Sequence, residues 1–168
     1  MTRLQLPESD RATTERRVKA RSAAVAPANP PMRLTAVIED IQRYFRGTKV
    51  EFTAVPLDVV DDEPFRRNLY DALRLVPWGE TVTYGELARR MGAPGEAREV
   101  GQAMGRNPVP IIVPCHRVLA AGNKVGGFSA YGGAFTKERL LSLEGVTVGL
   151  EADAPPLPGI LRPQRRGA

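Results

Sequence analysis

The chain has 168 residues, a net charge of +5, one cysteine and one histidine. That length accommodates one ordinary domain, or one with a small companion, and the single Cys and single His exclude an intrachain disulfide and all but exclude a zinc site built from those residue types. No run approaches the roughly 18 apolar residues of a membrane span, the N-terminal MTRLQLPESDRATTERR lacks the apolar core of a secretory signal, and a lone thiol suits a reducing compartment, so a cytoplasmic protein with no membrane partner is expected.

Residues 1–31 are rich in Arg, Ala, Thr and Pro and end in Ala-Pro-Ala-Asn-Pro-Pro; without apolar periodicity they read as disordered. Leu34, Val37, Ile38, Ile41, Tyr44 and Phe45 recur at helical spacing, with Gly47 as a stop. Val50 to Val55 suits a short strand. A second helix starts near Pro64 with acidic residues in its first turn, and buries Phe65, Leu69, Ala72, Leu73 and Val76 before Pro77 ends it. Thr83-Tyr84-Gly85-Glu86 fits a capping box for a third helix reaching about Met91. The turn Gly92-Ala93-Pro94-Gly95 leads to a fourth helix over about Glu96 to Gly105, and helix, short turn, helix is the pattern of a helix-turn-helix.

The fourth helix has two faces. Ala97, Val100, Ala103 and Met104 make one apolar; Arg98, Gly101, Gln102 and Gly105 share the other. Each glycine costs a helix roughly 1 kcal/mol against Ala, so something large approaches that face closely, a nucleic-acid groove or a neighbouring helix. Pro108, Pro110 and Pro114 then forbid regular helix, so residues 107–114 are expected to run extended through the core to Cys115. Gly122, Gly126 and Gly127 mark loops around a short hairpin. Thr136 to Leu143 reads as a last helix with Gly145 as its stop, and 150–168 as a Pro- and Arg-rich tail.

Charge is unevenly placed. Residues 89–137 carry seven basic side chains (Arg89, Arg90, Arg98, Arg106, Arg117, Lys124 and Lys137) against two acidic ones, while residues 34–88 carry six basic and ten acidic. Such polarisation fits either an anionic partner on one side or a solvated charged face. Cys115 alone fits either a buried inert thiol or a nucleophile. Three prolines stiffening its approach, the cation Arg117 and the base His116 beside it favour the nucleophile, because the attacking species is the thiolate.

The blocks Val76-Pro77-Trp78-Gly79-Glu80-Thr81-Val82-Thr83-Tyr84, Ala97-Arg98-Glu99-Val100-Gly101, Asn107-Pro108, Pro114-Cys115-His116-Arg117-Val118, Gly126-Gly127-Phe128-Ser129 and Lys137 to Gly145 resemble, in order and spacing, the O6-alkylguanine-DNA alkyltransferases, or methylated-DNA–protein-cysteine methyltransferases. The resemblance covers about residues 64–145. It implies an α+β protein: a mainly helical, winged-helix-like DNA-binding and active-site domain over 64–149, preceded over 32–63 by a short, atypical or truncated remnant of an N-terminal αβ domain. It implies irreversible transfer of an alkyl group from O6-alkylguanine, with O4-alkylthymine as a further candidate, in double-stranded DNA to Cys115, by a monomer needing no cofactor or metal.

Site roles follow from the same resemblance. Cys115 accepts the alkyl group, and His116 passes its proton through a water to Glu144. Asn107 braces the active-site turn. Tyr84 assists rotation of the nucleotide and protonates departing guanine at N3, and Arg98 fills the gap left in the base stack. Ala97, Gly101, Gln102, Gly105, Arg106 and Arg117 belong to the DNA face. Val118, Phe128 and Ser129 line the guanine pocket. Flipping is required because the enzyme must reach an atom held inside the duplex, and the minor groove suits a repair reaction indifferent to sequence.

The chain departs from the family pattern in three places. Its first 31 residues do not read as strands, the zinc ligands some members carry are missing, and Phe128 stands where an aromatic with a hydroxyl is common. Three rival classes remain for comparison: an alkyltransferase-like lesion binder, which would lack the cysteine; a helix-turn-helix transcription factor, which the bare glycine face disfavours; and a thiol hydrolase, for which no oxyanion-hole signature is visible.

Overall fold

The computed structural model describes residues 3–20, 31–58 and 63–148. In chain order they form α1 (Arg11–Ala20), α2 (Met32–Phe45), α3 (Pro64–Arg74), β1 (Val82–Thr83), α4 (Tyr84–Arg90), α5 (Ala97–Met104), β2 (Val118–Leu119) and α6 (Gly133–Leu143). The described residues are thus helix-rich, and their strands amount to one parallel pair in which Val82 faces Val118 and Thr83 faces Leu119.

Local chemistry sets the helix ends. Pro64 opens α3 at a position whose N–H needs no partner. The Thr83 hydroxyl accepts from the Glu86 N–H at 3.1 Å and caps α4. Gly47, at φ +80°, turns the chain after α2. Between α4 and α5 the turn passes through two left-handed glycines, Gly92 and Gly95.

Two apolar clusters make the core. Leu69, Leu73, Leu87, Val100, Met104, Val113 and Val118 join α3, α4, α5 and the strand pair. Tyr44, Phe52, Ile111, Ile112, Leu140 and Leu143 join α2 to α6. The segment from Asn107 to Pro114 lies between, giving Val109 and Val113 to the first and Ile111 and Ile112 to the second.

Four expectations need correction. Residues 3–20 are ordered: α1 spans Arg11–Ala20, and the Leu4 N–H donates to the Pro108 carbonyl at 2.9 Å. Leu6 is 4% exposed in the second cluster. The helix has almost no apolar stripe, so periodicity missed it; two leucines anchor the segment instead. The remainder of the 1–31 expectation (residues 1–2 and 21–30) and the 150–168 tail lie outside the described residues.

Val50 to Val55 is not a strand. An Nη2 of Arg74 takes the carbonyls of Phe52, Thr53 and Val55 at 2.6–3.1 Å, holding a turn where a sheet neighbour would otherwise be needed. The first turn of α3 contains no acidic residue; Glu63 stands at its N-cap and pairs with Arg66.

The stretch before Cys115 folds back rather than running straight. Val113 N–H donates to the Val109 carbonyl at 2.9 Å, and Ile111 takes φ +75°, a left-handed conformation rare for a β-branched residue. Two prolines and the burial of Ile111 in the second cluster hold that strain in place.

If the N-terminal segment is part of the core, Leu6→Ala costs about 2–5 kcal/mol of stability in urea unfolding; a change near zero would return residues 3–10 to the status of a loose tail.

Candidate active site

Cys115 opens a single 3-10 turn, Cys115–Arg117, directly after the folded-back segment. The turn is pinned from one side by Asn107, whose amide donates to the Val113 carbonyl at 2.8 Å and to Cys115 Sγ at 3.2 Å, while its Oδ1 accepts from Val109 N–H at 3.0 Å. Neighbouring side chains on such a turn diverge. Sγ borders a cavity of about 280 Å³ with Tyr84, Gly101, Met104, Phe128 and Ser129 on its walls, whereas His116 points inward and is fully buried.

The inward side is organised by Glu144, just past the end of α6. Its Oε1 accepts from His116 Nε2 at 2.8 Å, Tyr44 Oη at 2.8 Å and Arg117 Nη2 at 3.0 Å; its Oε2 accepts from Arg117 Nε at 2.8 Å and the Gly79 N–H at 3.2 Å. Burial alone would push this carboxyl up, but the hydrogen bonds from His116 and Arg117 and the charge of Arg117 outweigh it and hold the group at about 2. Gly79 must be glycine here: its φ is +78°, and a Cβ would lie 3.1 Å from the Glu144 carbonyl oxygen.

A carboxylate only accepts, so His116 carries its proton on Nε2 and presents a bare lone pair at Nδ1, which has no protein partner. Burial lowers the imidazole's pKa and so keeps the ring neutral. The contact with Glu144 is direct, correcting the expectation of an intervening water there. Burial pushes the Cys115 thiol up, opposed by the Asn107 amide and the charge of Lys137.

Tyr84 begins α4 and lies between two glycines: Cβ atoms built at Gly101 and Gly126 would meet its ring at 3.6 Å and its hydroxyl at 3.5 Å respectively. The close approach expected at Gly101 is therefore made by the protein's own Tyr84. Burial, then the nearby Cys115, raise the phenol above its usual range.

Other expected residues divide. Arg98, Gln102, Gly105 and Arg106 are exposed, and Ala97 is half-buried beside them. Phe128 and Ser129 reach the cavity wall. Val118 does not: it is fully buried, paired with Val82. Arg117, expected on the DNA face, is 4% exposed, with its guanidinium taken up by Glu144 and by the Val76 carbonyl at 2.6 Å. Lys137, counted with the basic face, is fully buried.

The chain matches the family described as 6-O-methylguanine DNA methyltransferase, DNA binding domain, over residues 64–146. It is 45% identical over 114 residues to a methylated-DNA–protein-cysteine methyltransferase of Mycolicibacterium paratuberculosis, covering 68% of this chain and 67% of that protein. The chain belongs to the methylated-DNA–protein-cysteine methyltransferase family. An OGT of Mycobacterium tuberculosis, solved in complex with DNA, superposes with a TM-score of 0.60 at 45% identity, over 65% of this chain and 64% of that one. The O6-methylguanine-DNA methyltransferase of Pyrococcus kodakaraensis does so with 0.61 at 29% identity, over 82% of each chain. The matched region thus spans about two thirds of the length of the mycobacterial relatives.

Two site residues escaped the sequence reading. Tyr44 looked like one more apolar position of α2; its hydroxyl in that stripe was the signal. Lys137 looked solvated, yet its Nζ is buried without a hydrogen-bond partner 5.8 Å from the Tyr84 ring centroid, and burial brings its pKa down to about 8. Its buried neighbours Thr136, Leu140 and Leu141 place it on the inner face of α6.

Glu144 sets an acid limit. Its folded pKa lies below the ordinary 4.5, so its stabilisation is complete above about pH 4.5 and is lost as pH falls toward about 2. The loss amounts to about 3 kcal/mol, and denaturant midpoints taken from pH 5 to pH 2 should fall less steeply for Glu144→Gln. Lys137→Met should raise the pH at which iodoacetamide captures Cys115 by roughly one unit; an unmoved profile would mean that the ammonium does not act on the thiol.

Proposed function

We propose that this methyltransferase-family chain repairs DNA by moving the alkyl group of O6-alkylguanine, and in smaller measure of O4-alkylthymine, onto Cys115 Sγ, once per molecule. The observation that carries the reading is the position of Cys115: its sulfur borders an open cavity while its neighbour His116 is tied, out of sight of that cavity, to an ionised Glu144.

The chemistry follows from the groups present. The thiol proton passes by way of a water to His116 Nδ1, the lone pair that the Glu144 contact leaves available. Glu144 stabilises the imidazolium that results. Asn107 and Lys137 support the thiolate against its burial. Sγ then attacks the alkyl carbon in line with the C–O6 bond. The S–C bond forms, the C–O6 bond breaks, and the electron pair enters the guanine ring. Tyr84, still protonated because its pKa is raised, delivers a proton to N3. The thioether product has no leaving group that would regenerate the thiol.

Access requires the nucleotide to leave the stack, at a cost of a few kcal/mol. Arg98 is exposed on the outer face of α5 and serves as the filler, with Ala97, Gln102, Gly105 and Arg106 along the same contact. Helices α4 and α5 act as a winged-helix-like element in the minor groove, where small residues allow close approach. The protein acts as a monomer in the cytoplasm, associated with the nucleoid while on DNA. Among the described residues no helix is long and apolar enough to cross a membrane.

A duplex with one O6-methylguanine provides the test. Intact mass should rise by one methylene, saturating at one per protein, mapping to Cys115 and absent in Cys115→Ala. Tight binding to the lesion duplex without a mass gain would favour a lesion-binding protein, and a result with neither mass gain nor binding would overturn the repair reading.

A further inference from the structure

Cys115 borders a second cavity. It measures about 330 Å³ and shares Gly105, Cys115, Phe128 and Ser129 with the one beside Tyr84. Its outer wall is the N-terminal segment: Arg3, Gln5 and Arg17 line it, facing Arg106 and Asn107. The segment is held there by the Leu4 N–H to Pro108 carbonyl bond and by the burial of Leu6. Glu8, 4% exposed, ties Gln5 Nε2 at 2.9 Å and Arg17 Nη1 at 2.7 Å and so fixes the start of α1 against this wall.

The two cavities differ in charge. No ionisable side chain other than Cys115 and Tyr84 lines the first, whereas three arginines and no carboxylate line the second. The Glu8 carboxylate, off the wall, pairs with Arg17 from behind at 2.7 Å and offsets part of its charge.

In-line displacement gives the second cavity a use. Sulfur, reacting carbon and O6 lie on one axis, so any group carried on that carbon projects sideways from it. A methyl group needs no further space. A longer substituent needs a second compartment touching Sγ. A carboxylate on the reacting carbon also repels the incoming thiolate, and guanidinium groups nearby offset that repulsion.

Resting on the alkyl-transfer reading, we propose that the cavity between the N-terminal segment and Cys115 receives the substituent carried on the reacting carbon, and that Arg3 and Arg17 favour a carboxylated substituent over a neutral one of the same size. The product is the thioether of the carboxylated alkyl group on Sγ, and guanine leaves with its proton as in methyl transfer.

Carboxymethyl and its neutral isostere carbamoylmethyl separate charge from size. Single-turnover rates would be measured on duplexes carrying O6-methyl-, O6-carboxymethyl- or O6-carbamoylmethylguanine, at saturating protein. Carboxymethyl transfer should exceed carbamoylmethyl transfer by roughly tenfold. In Arg3→Gln/Arg17→Gln the ratio should fall at least tenfold, to below one because the carboxylate's repulsion of the thiolate is then unopposed, with methyl transfer unchanged. Arg3→Glu, at an exposed position, should depress carboxymethyl transfer alone, and decides the matter if the double variant melts early.

A phosphate of the DNA backbone is the other anion these arginines would bind. In that case the variants slow all three substrates alike at subsaturating protein and leave the ratio untouched, which overturns the proposal. A ratio near one in the unmodified protein, with methyl transfer intact, overturns it too while sparing the repair reading. Absence of transfer from every duplex overturns both.

Discussion

A carboxylate away from water is tolerable only with its lone pairs filled, and Glu144 has five donors around it. Much else depends on that requirement. It selects the tautomer of His116, consumes Arg117, demands a hydroxyl at Tyr44 and takes up the backbone N–H of Gly79. Removing a single donor would leave a buried charge under-bonded, a penalty far larger than the net worth of one hydrogen bond. The same constraint divides the Cys115–His116–Arg117 turn: two of its side chains face the carboxylate, and the sulfur alone faces outward.

Position of that sulfur rests on the segment before it. The left-handed Ile111 costs about 1–3 kcal/mol, and nothing local repays it. Burial of Ile111 and Ile112 in one cluster, and of Val109 and Val113 in the other, does so by wedging the segment between two halves of the core. Asn107 then spans the fold-back, bonding at both ends of it and to the sulfur itself. A nucleophile so placed has little freedom to relax away from its cavity, which is what positional catalysis asks of it.

Features set by near neighbours were legible in the sequence. The Thr83 cap, the Pro64 start, the two faces of α5 and the glycine stops each depend on a few adjacent residues. What could not be read depends on contacts between distant ones. Arg74 decides the shape of residues 52–55 from another helix. Arg117 and Lys137 carry charges that composition assigns to the surface, and only the packing of α6 shows them inside. Gly101 was read as room for a nucleic-acid groove or a neighbouring helix, and the choice stayed open because Tyr84 of α4, 17 positions earlier, cannot be seen beside it in a sequence. The N-terminal residues lacked any repeating pattern, since two leucines suffice to dock them.

The hydroxyl of Tyr44 has a consequence for modularity. The family match begins at residue 64, yet one of the donors that make Glu144 tolerable comes from α2, outside that span. Residues 64–146 are therefore not a self-sufficient cassette: cut free, or grafted behind another protein's amino-terminal half, they would carry the thiol and the imidazole but meet a charged group with an empty seat beside it. Change within α2 of this chain is consequently bounded, because whatever stands at position 44 must still deliver one donor to the same point.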